Sequence, residues 1–211
     1  NHERGQKIIT GNRVLFHRVA NTLNYLDIKT VVVSCGTCMD QLQKYEFEKI
    51  FPGCRLLDIH EYLYEKDVKL AGIAGVRYMY HDPCHSPMKT YAPRKVVNEL
   101  MGTAVAPNDR CCGESGTLAM TRPDISTQVR FRKEEEMRKG AAAARADGFT
   151  GEVKILTSCP SCLQGLARFR DDADAGADYI VVEIARHVLG PDWLPEYVAR
   201  ANRGGIERVL L

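Results

Sequence analysis

Cys111 and Cys112 stand side by side in Arg-Cys-Cys-Gly-Glu-Ser-Gly-Thr. Cys84 lies upstream in His-Asp-Pro-Cys-His, and Cys159 and Cys162 follow in Ser-Cys-Pro-Ser-Cys. Another Cys-x-x-Cys, Cys35 and Cys38, sits in Ser-Cys-Gly-Thr-Cys. Seven of the eight cysteines thus fall in short turns of Gly, Pro and Ser. Adjacent cysteines are strained as disulfide partners, but two thiolates on one tight turn can reach the same metal cluster. Soft thiolates bind iron–sulfur clusters, Zn²⁺ or Cu(I). The five from Cys84 to Cys162 exceed the four ligands of a structural zinc site and of an ordinary cubane cluster. Ligands from widely separated loops suit a site on a fold's edge better than a zinc ribbon. The spacing favours an iron–sulfur centre; a zinc site and redox-active thiols without metal are the alternatives.

The elements that must position these cysteines alternate in type. Val31 to Cys35 is a β-branched run and reads as a buried strand. Met39 to Ile50 has helical periodicity, with Met39, Leu42, Phe47 and Ile50 on one face. Arg55 to Ile59 reads as a strand, Glu61 to Val68 as a helix, and Val76 to Tyr80 as a strand running into Asp82-Pro83-Cys84. Pro93 to Leu100 is a helix with Pro in its first turn. Thr103 to Ala106 is a candidate strand and Ile125 to Ala146 a long charged helix. Lys154 to Thr157 is a strand that delivers Cys159. Helix Leu163 to Arg170, strand Ala177 to Val181 and helix Val182 to Leu189 follow, and the tail from Pro191 is weakly patterned. Such alternation predicts an α/β fold with a mainly parallel sheet flanked by helices. The cysteines then lie at the carboxyl edge, where open α/β sheets bind ligands.

Composition bounds the function. The chain has 211 residues, 45% of them apolar, with 29 Lys and Arg against 27 Asp and Glu, a net charge of +2. Mean hydropathy is -0.27, and the longest apolar runs, such as Tyr179 to Val182, are far too short to span a bilayer. Acids and bases are interspersed, so no nucleic-acid footprint stands out. No signal peptide is visible, which points to reduced, cytoplasmic cysteines. Asn1 opens inside an amphipathic helical pattern, which suggests a segment of a longer polypeptide.

The chain also repeats itself. Val32 to Leu42 matches Leu156 to Leu166, and Leu57 to Glu61 aligns with Val182 to Arg186. Each unit is strand, Cys-x-x-Cys, helix, strand, acidic residue, helix. Cys112 precedes Cys159 by 47 positions, and the same interval before Cys35 falls about a dozen residues ahead of Asn1. The expectation is two pseudo-repeated lobes, the first truncated and lacking its own Cys-Cys-Gly. Residues 1–75 would be the partial first unit, 76–190 the complete second, and 191–211 a C-terminal tail.

His-Asp-Pro-Cys84-His, Cys111-Cys112-Gly-x-x-Gly-Thr and Cys159-x-x-Cys162 resemble the cysteine-rich CCG domain. That domain occurs in heterodisulfide reductase, the iron–sulfur subunit of glycolate oxidase, anaerobic glycerol-3-phosphate dehydrogenase and lactate-utilisation proteins. Cys-Cys-Gly-Glu-Ser-Gly-Thr-Leu-Ala-Met-Thr-Arg-Pro-Asp is most similar to the glycolate oxidase type. The resemblance implies that Cys84, Cys111, Cys112, Cys159 and Cys162 hold a 4Fe–4S cluster, which in heterodisulfide reductase is non-cubane. Cys35 and Cys38 would ligate too, at a site completed by the parent protein or beside Cys84. It further implies electron transfer in an oxidoreductase acting on glycolate or lactate. An FAD-linked oxidase domain and a ferredoxin-type iron–sulfur domain would lie in the same or a partner chain. Electrons would leave to a quinone or other acceptor, with the protein cytoplasmic or peripheral at the inner membrane. Heterodisulfide reductase itself offers a rival, cluster-based disulfide reduction; a zinc-stabilised interaction module is another.

His81 and His85 flank Cys84; each can serve as an ordinary hydrogen-bonding residue, donate to a cluster sulfur, or carry protons. Gly113 and Gly116 are expected to bring backbone N–H groups to the cluster. Lys89 and Arg110 can offset cluster charge, although solvated surface charge is the simpler reading. Cys54 has no motif and reads as a core residue. Arg130 to Lys139 reads as a salt-bridged, exposed helix face. Gly113-x-x-Gly116 lacks an acidic ribose partner, so a flavin would bind elsewhere.

Overall fold

The structure, a computed structural model, describes residues 2–23, 27–114 and 118–204. Helix α1 (His2–Thr22) leads into β1 (Thr30–Val33), whose three valines favour extended backbone. Helix α2 (Gly36–Leu42), a 3₁₀ turn (Gln43–Tyr45) and α3 (Phe47–Ile50) follow, then β2 (Arg55–Asp58) and α4 (Ile59–Glu65). The second half runs β3 (Val76–His81), α5 (Pro93–Met101), β4 (Ala106–Pro107), α6 (Leu118–Thr121) and α7 (Pro123–Ala144). It continues as β5 (Glu152–Thr157), α8 (Pro160–Ala167), α9 (Arg170–Ala173), β6 (Gly176–Tyr179), α10 (Ile180–Leu189) and α11 (Trp193–Gly204).

This is an α/β fold with parallel sheets flanked by helices. Strands β4-β3-β5-β6 form one parallel sheet, and β1 pairs with β2 in parallel. Parallel strands need both faces covered, and two cores cover the larger sheet. On one face Tyr78, Tyr80 and Leu156 pack with Val96, Val97, Leu100 and Met101 of α5 and Ile180 and Ile184 of α10. On the other, Met79, Val153 and Ile155 pack with Met137 and Ala141 of α7 and Leu166 of α8. A third cluster (Tyr45, Phe47, Ile50, Phe51 and Cys54) receives Ile9, Phe16 and Ala20 from α1 beside the smaller pair. Cys54 is thus a buried core residue. Among the described residues no helix is long and apolar enough to cross a membrane.

Several expected boundaries move. Met39 to Ile50 is not one helix: Glu46 takes a left-handed φ of 54° and separates the 3₁₀ turn from α3. The first expected helix after β2 starts earlier, at Ile59, because Asp58 caps it. The candidate strand at Thr103 to Ala106 reduces to Ala106–Pro107. Helix α8 starts at Pro160 rather than Leu163. The apolar run Tyr179 to Val182 divides, strand ending at Tyr179 and helix starting at Ile180; short apolar runs do not distinguish strand from helix. The weakly patterned tail contains α11, whose Leu194, Tyr197 and Val198 follow helical spacing but stay exposed. Strand register also gives the expected repeat a different alignment if the two units are matched through their strands. Val33 pairs with Asp58, and Thr157 with Tyr179, so Asp58 corresponds to Tyr179, four residues before the Glu183 of the sequence alignment.

Asp58 shows how tightly the junction after β2 is built. Its Oδ1 accepts from the His60 N–H at 2.9 Å and meets His60 Nδ1 at 2.7 Å, with both residues fully buried. Asp58→Ala removes a cap worth about 1 kcal/mol and orphans the imidazole at a further cost of about 1–3 kcal/mol. Urea unfolding should show that summed loss, and Asp58→Asn should recover part of it.

Candidate metal centre

Strand register sets the site. His81, Thr157 and Tyr179 align across β3, β5 and β6, and Tyr80 aligns with Pro107 of β4. The chain therefore leaves neighbouring strands at one level toward Cys84, toward Cys111 and Cys112, and toward Cys159. Pro83 follows Asp82, whose Oδ1 accepts from the Tyr80 hydroxyl at 2.9 Å. Cys159 is the N-cap of α8 and Cys162 lies in its first turn, with Leu163 N–H donating to the Cys159 carbonyl at 2.9 Å. Gly113 takes φ +76°, where a Cβ would also press on Arg130 Cγ at 2.9 Å. That turn aims the Gly113 N–H at Cys111 Sγ, 3.4 Å away. Gly116 lies outside the described residues.

Cys84, Cys111, Cys112, Cys159 and Cys162 all line one small cavity. None is in a disulfide; Cys84 and Cys111 are exposed, and the other three buried. Cys112 and Cys162 Sγ are hydrogen-bonded at 3.2 Å. Bonds from the Cys111 and Cys162 thiols hold Cys112 far below the usual thiol range, with the Glu114 N–H adding to the effect. Cys111 and Cys162 are pushed up in return, each by the hydrogen bond to Cys112 first; burial follows for Cys111, and the Cys159 hydrogen bond and then burial for Cys162. Cys159 is drawn down to about 6, first by Cys162 and then by the Cys162 and Ser161 N–H groups at the start of α8, against burial. Thiolates are what bind metal, and Cys112 and Cys159 are shifted toward that form.

His81 stands beneath the thiols. Its Nδ1 meets the Asn108 carbonyl at 3.3 Å, its Nε2 is buried without a hydrogen-bond partner, and the ring brings a nitrogen within 4.8 Å of Cys112 and Cys162 Sγ. An imidazole that gives Nδ1–H to a carbonyl and turns Nε2 to the site has the usual arrangement beside a metal. His85 instead sits on the lip of the cavity, its Nδ1 2.7 Å from Asp40 Oδ2. Lys89 pairs with the same Asp40 at 3.0 Å, and Arg110 with Glu135 at 3.6 Å. Both bases are thus paired with surface acids. The donor set, clustered soft sulfurs with one orphaned buried imidazole nitrogen, fits an iron–sulfur group.

Cys35 and Cys38 are close by but do not line that cavity, although Thr37 between them does. A Cβ on Gly36 would lie 1.6 Å from the His85 carbonyl oxygen, so only glycine lets α2 approach the Cys84 loop this closely. Cys35 caps α2 as Cys159 caps α8. The Cys38 thiol is pushed up by its hydrogen bond with Cys35, then by burial. The Tyr179 hydroxyl joins the two Cys-x-x-Cys loops, reaching the Ser34 carbonyl and, at 3.1 Å, that of Ser158.

Sequence reasoning missed Tyr179, Asn108 and Glu114. Glu114 Oε1 lies 2.8 Å from both Arg130 and Arg168, pinning the double-cysteine turn to α7 and to the residue after α8. It also missed Lys133, taken with its neighbours as exposed, which is fully buried. The signal was present: Ser126, Lys133, Met137 and Ala141 lie on one helical stripe.

Residues 78–167 match the family model described as a cysteine-rich domain, CCG. Residues 167–211 match a domain of unknown function, DUF3400. The chain is similar to a subunit of the fumarate reductase (CoM/CoB) of Methanothermobacter marburgensis, 28% identical over 141 residues, 63% of this chain and 26% of that protein. It is similar to an uncharacterized iron–sulfur protein of Methanocaldococcus jannaschii, 27% identical over 169 residues, 76% of this chain and 32% of that one. Another uncharacterized iron–sulfur protein, from Methanococcus maripaludis, is 28% identical over 145 residues, 66% of this chain and 27% of that protein. The chain thus spans about a third or less of these curated relatives. No solved structure gives a significant match.

Proposed function

We propose, from the premise that residues 78–167 form a cysteine-rich domain of the CCG type, that this chain is the iron–sulfur electron-transfer module of a larger oxidoreductase. The convergence of Cys84, Cys111, Cys112, Cys159 and Cys162 on one cavity carries this reading. Those five would hold a 4Fe–4S cluster, which when bound supplies electron transfer at a potential tuned by the surrounding charge and hydrogen bonds. The chain's own groups prepare the place. The Gly113 N–H donates to Cys111, and a ring nitrogen of His81 lies within 4.8 Å of Cys112 and Cys162 Sγ. Burial of Cys112, Cys159 and Cys162 keeps water from one side, while exposed Cys84 and Cys111 mark the side an electron partner approaches. Cys35 and Cys38 serve as further ligands, in a first lobe pseudo-symmetric to the second.

The reaction served is oxidation of a 2-hydroxy acid of the glycolate or lactate type. FAD would sit on another domain, with a ferredoxin-type iron–sulfur domain relaying electrons and a quinone or other acceptor taking them, in the cytoplasm or at the inner membrane's edge. The double-cysteine stretch, most similar to the glycolate oxidase type, supports this assignment. Disulfide reduction is the second reading, favoured by two thiols exposed at the cavity mouth. Protein reconstituted with iron and sulfide, then reduced, is offered a quinone analogue or a small disulfide without oxygen. Reoxidation by the quinone alone is expected; stoichiometric release of thiol from the disulfide would transfer the assignment to the second reading.

A further inference from the structure

Lys133 is fully buried on α7, with Met137 and Ala141 on the same core-facing stripe. A buried ammonium is costly unless its hydrogens are satisfied. Here Nζ reaches the Asn108 carbonyl at 2.6 Å, the Asn108 side-chain Oδ1, and Glu136 Oε2 at 3.1 Å. Three acceptors match the three hydrogens of an ammonium; a neutral amine has only two. The Asn108 carbonyl also meets His81 Nδ1, and the His81 ring lies with a nitrogen within 4.8 Å of Cys112 and Cys162 Sγ. One short chain thus runs from the buried cation through Asn108 and His81 to two of the thiols.

The charges along it are unevenly screened. The Glu136 side chain is 26% exposed and Lys133 0%. Glu136 also accepts from the Arg110 backbone N–H at 2.8 Å. Water weakens the carboxylate's field more than the ammonium's, so this pair contributes a net positive field at Cys112, with which Lys133 interacts electrostatically. We propose that Lys133 is a positioning residue and fixed positive charge that orients His81 through Asn108 and raises the reduction potential of the cysteine centre. The inference rests on the iron–sulfur reading above.

The test is a potentiometric titration, followed by EPR, of anaerobically reconstituted wild type, Lys133→Met and Glu136→Gln at equal iron and sulfide content. Removing the cation should make reduction about tenfold or more less favourable, a fall of about 59 mV for one electron. Glu136→Gln should move the midpoint upward. A merely structural role would lower cluster retention in both variants without shifts of opposite sign. Unchanged midpoints in iron-replete variants would overturn the inference and leave the iron–sulfur reading intact. If Lys133→Met fails to fold, Glu136→Gln decides alone: a rise supports the proposal and a wild-type midpoint overturns it. Wild type that takes up neither iron nor sulfide overturns both.

Discussion

Cys112→Ala protein purified without oxygen should hold about tenfold less iron and sulfide than wild type, or none, while Cys54→Ala holds the wild-type amount. Cys112 is hydrogen-bonded to two of the other cavity thiols, Cys111 and Cys162. It is buried, hydrogen-bonded to Cys162 at 3.2 Å, and shifted far below the usual thiol range by Cys111 and Cys162. Losing a partner that merely orients a ligand costs about 10–100-fold in metal affinity, and losing the ligand should cost at least as much. Cys54 is equally buried, but it sits among Phe47, Ile50 and Phe51 and spends its thiol on the Arg55 carbonyl. Elemental analysis with a sulfide assay separates the two. Equal iron in both variants would remove Cys112 from the centre.

Gly36→Ala should damage the site without removing a thiol. The new methyl would meet the His85 carbonyl oxygen at 1.6 Å. Both sides of the clash are backbone, so no rotamer relieves it, and α2 must withdraw from the Cys84 loop. Overpacking of this kind costs about 1–3 kcal/mol. Because Cys84 lies on the displaced loop, retention of iron should fall with stability. Gly5→Ala is the control: its methyl has no neighbour within 4 Å, and alanine suits a helix interior. Denaturant midpoints and bound iron, measured together, check both. A Gly36→Ala protein as stable and iron-rich as wild type would mean that α2 does not abut the Cys84 loop.

Much of this architecture is legible from residue types. The valines of β1 and the aromatic-rich Val76 to Tyr80 mark strands, and Gly, Pro and Ser around the cysteines mark turns, so the carboxyl-edge placement follows. The rest depends on through-space geometry. Cys84 and Cys159 are far apart in sequence and meet because β3 and β5 pair in register. Gly36 reads as an ordinary turn glycine until His85 is placed against it. Lys133 lies amid charged neighbours, and local composition outweighed the stripe of Met137 and Ala141 that buries it. Tyr179 was absorbed into an apolar run, where its hydroxyl had no visible purpose; between the Ser34 and Ser158 carbonyls it fastens two loops together.

Mössbauer spectroscopy of protein reconstituted anaerobically with ⁵⁷Fe and sulfide tests the central claim most directly. The account predicts about four irons per chain in a thiolate-ligated, sulfide-bridged cluster, with a signal that disappears in Cys112→Ala. Zinc bound in place of iron, or iron without stoichiometric sulfide, would contradict it.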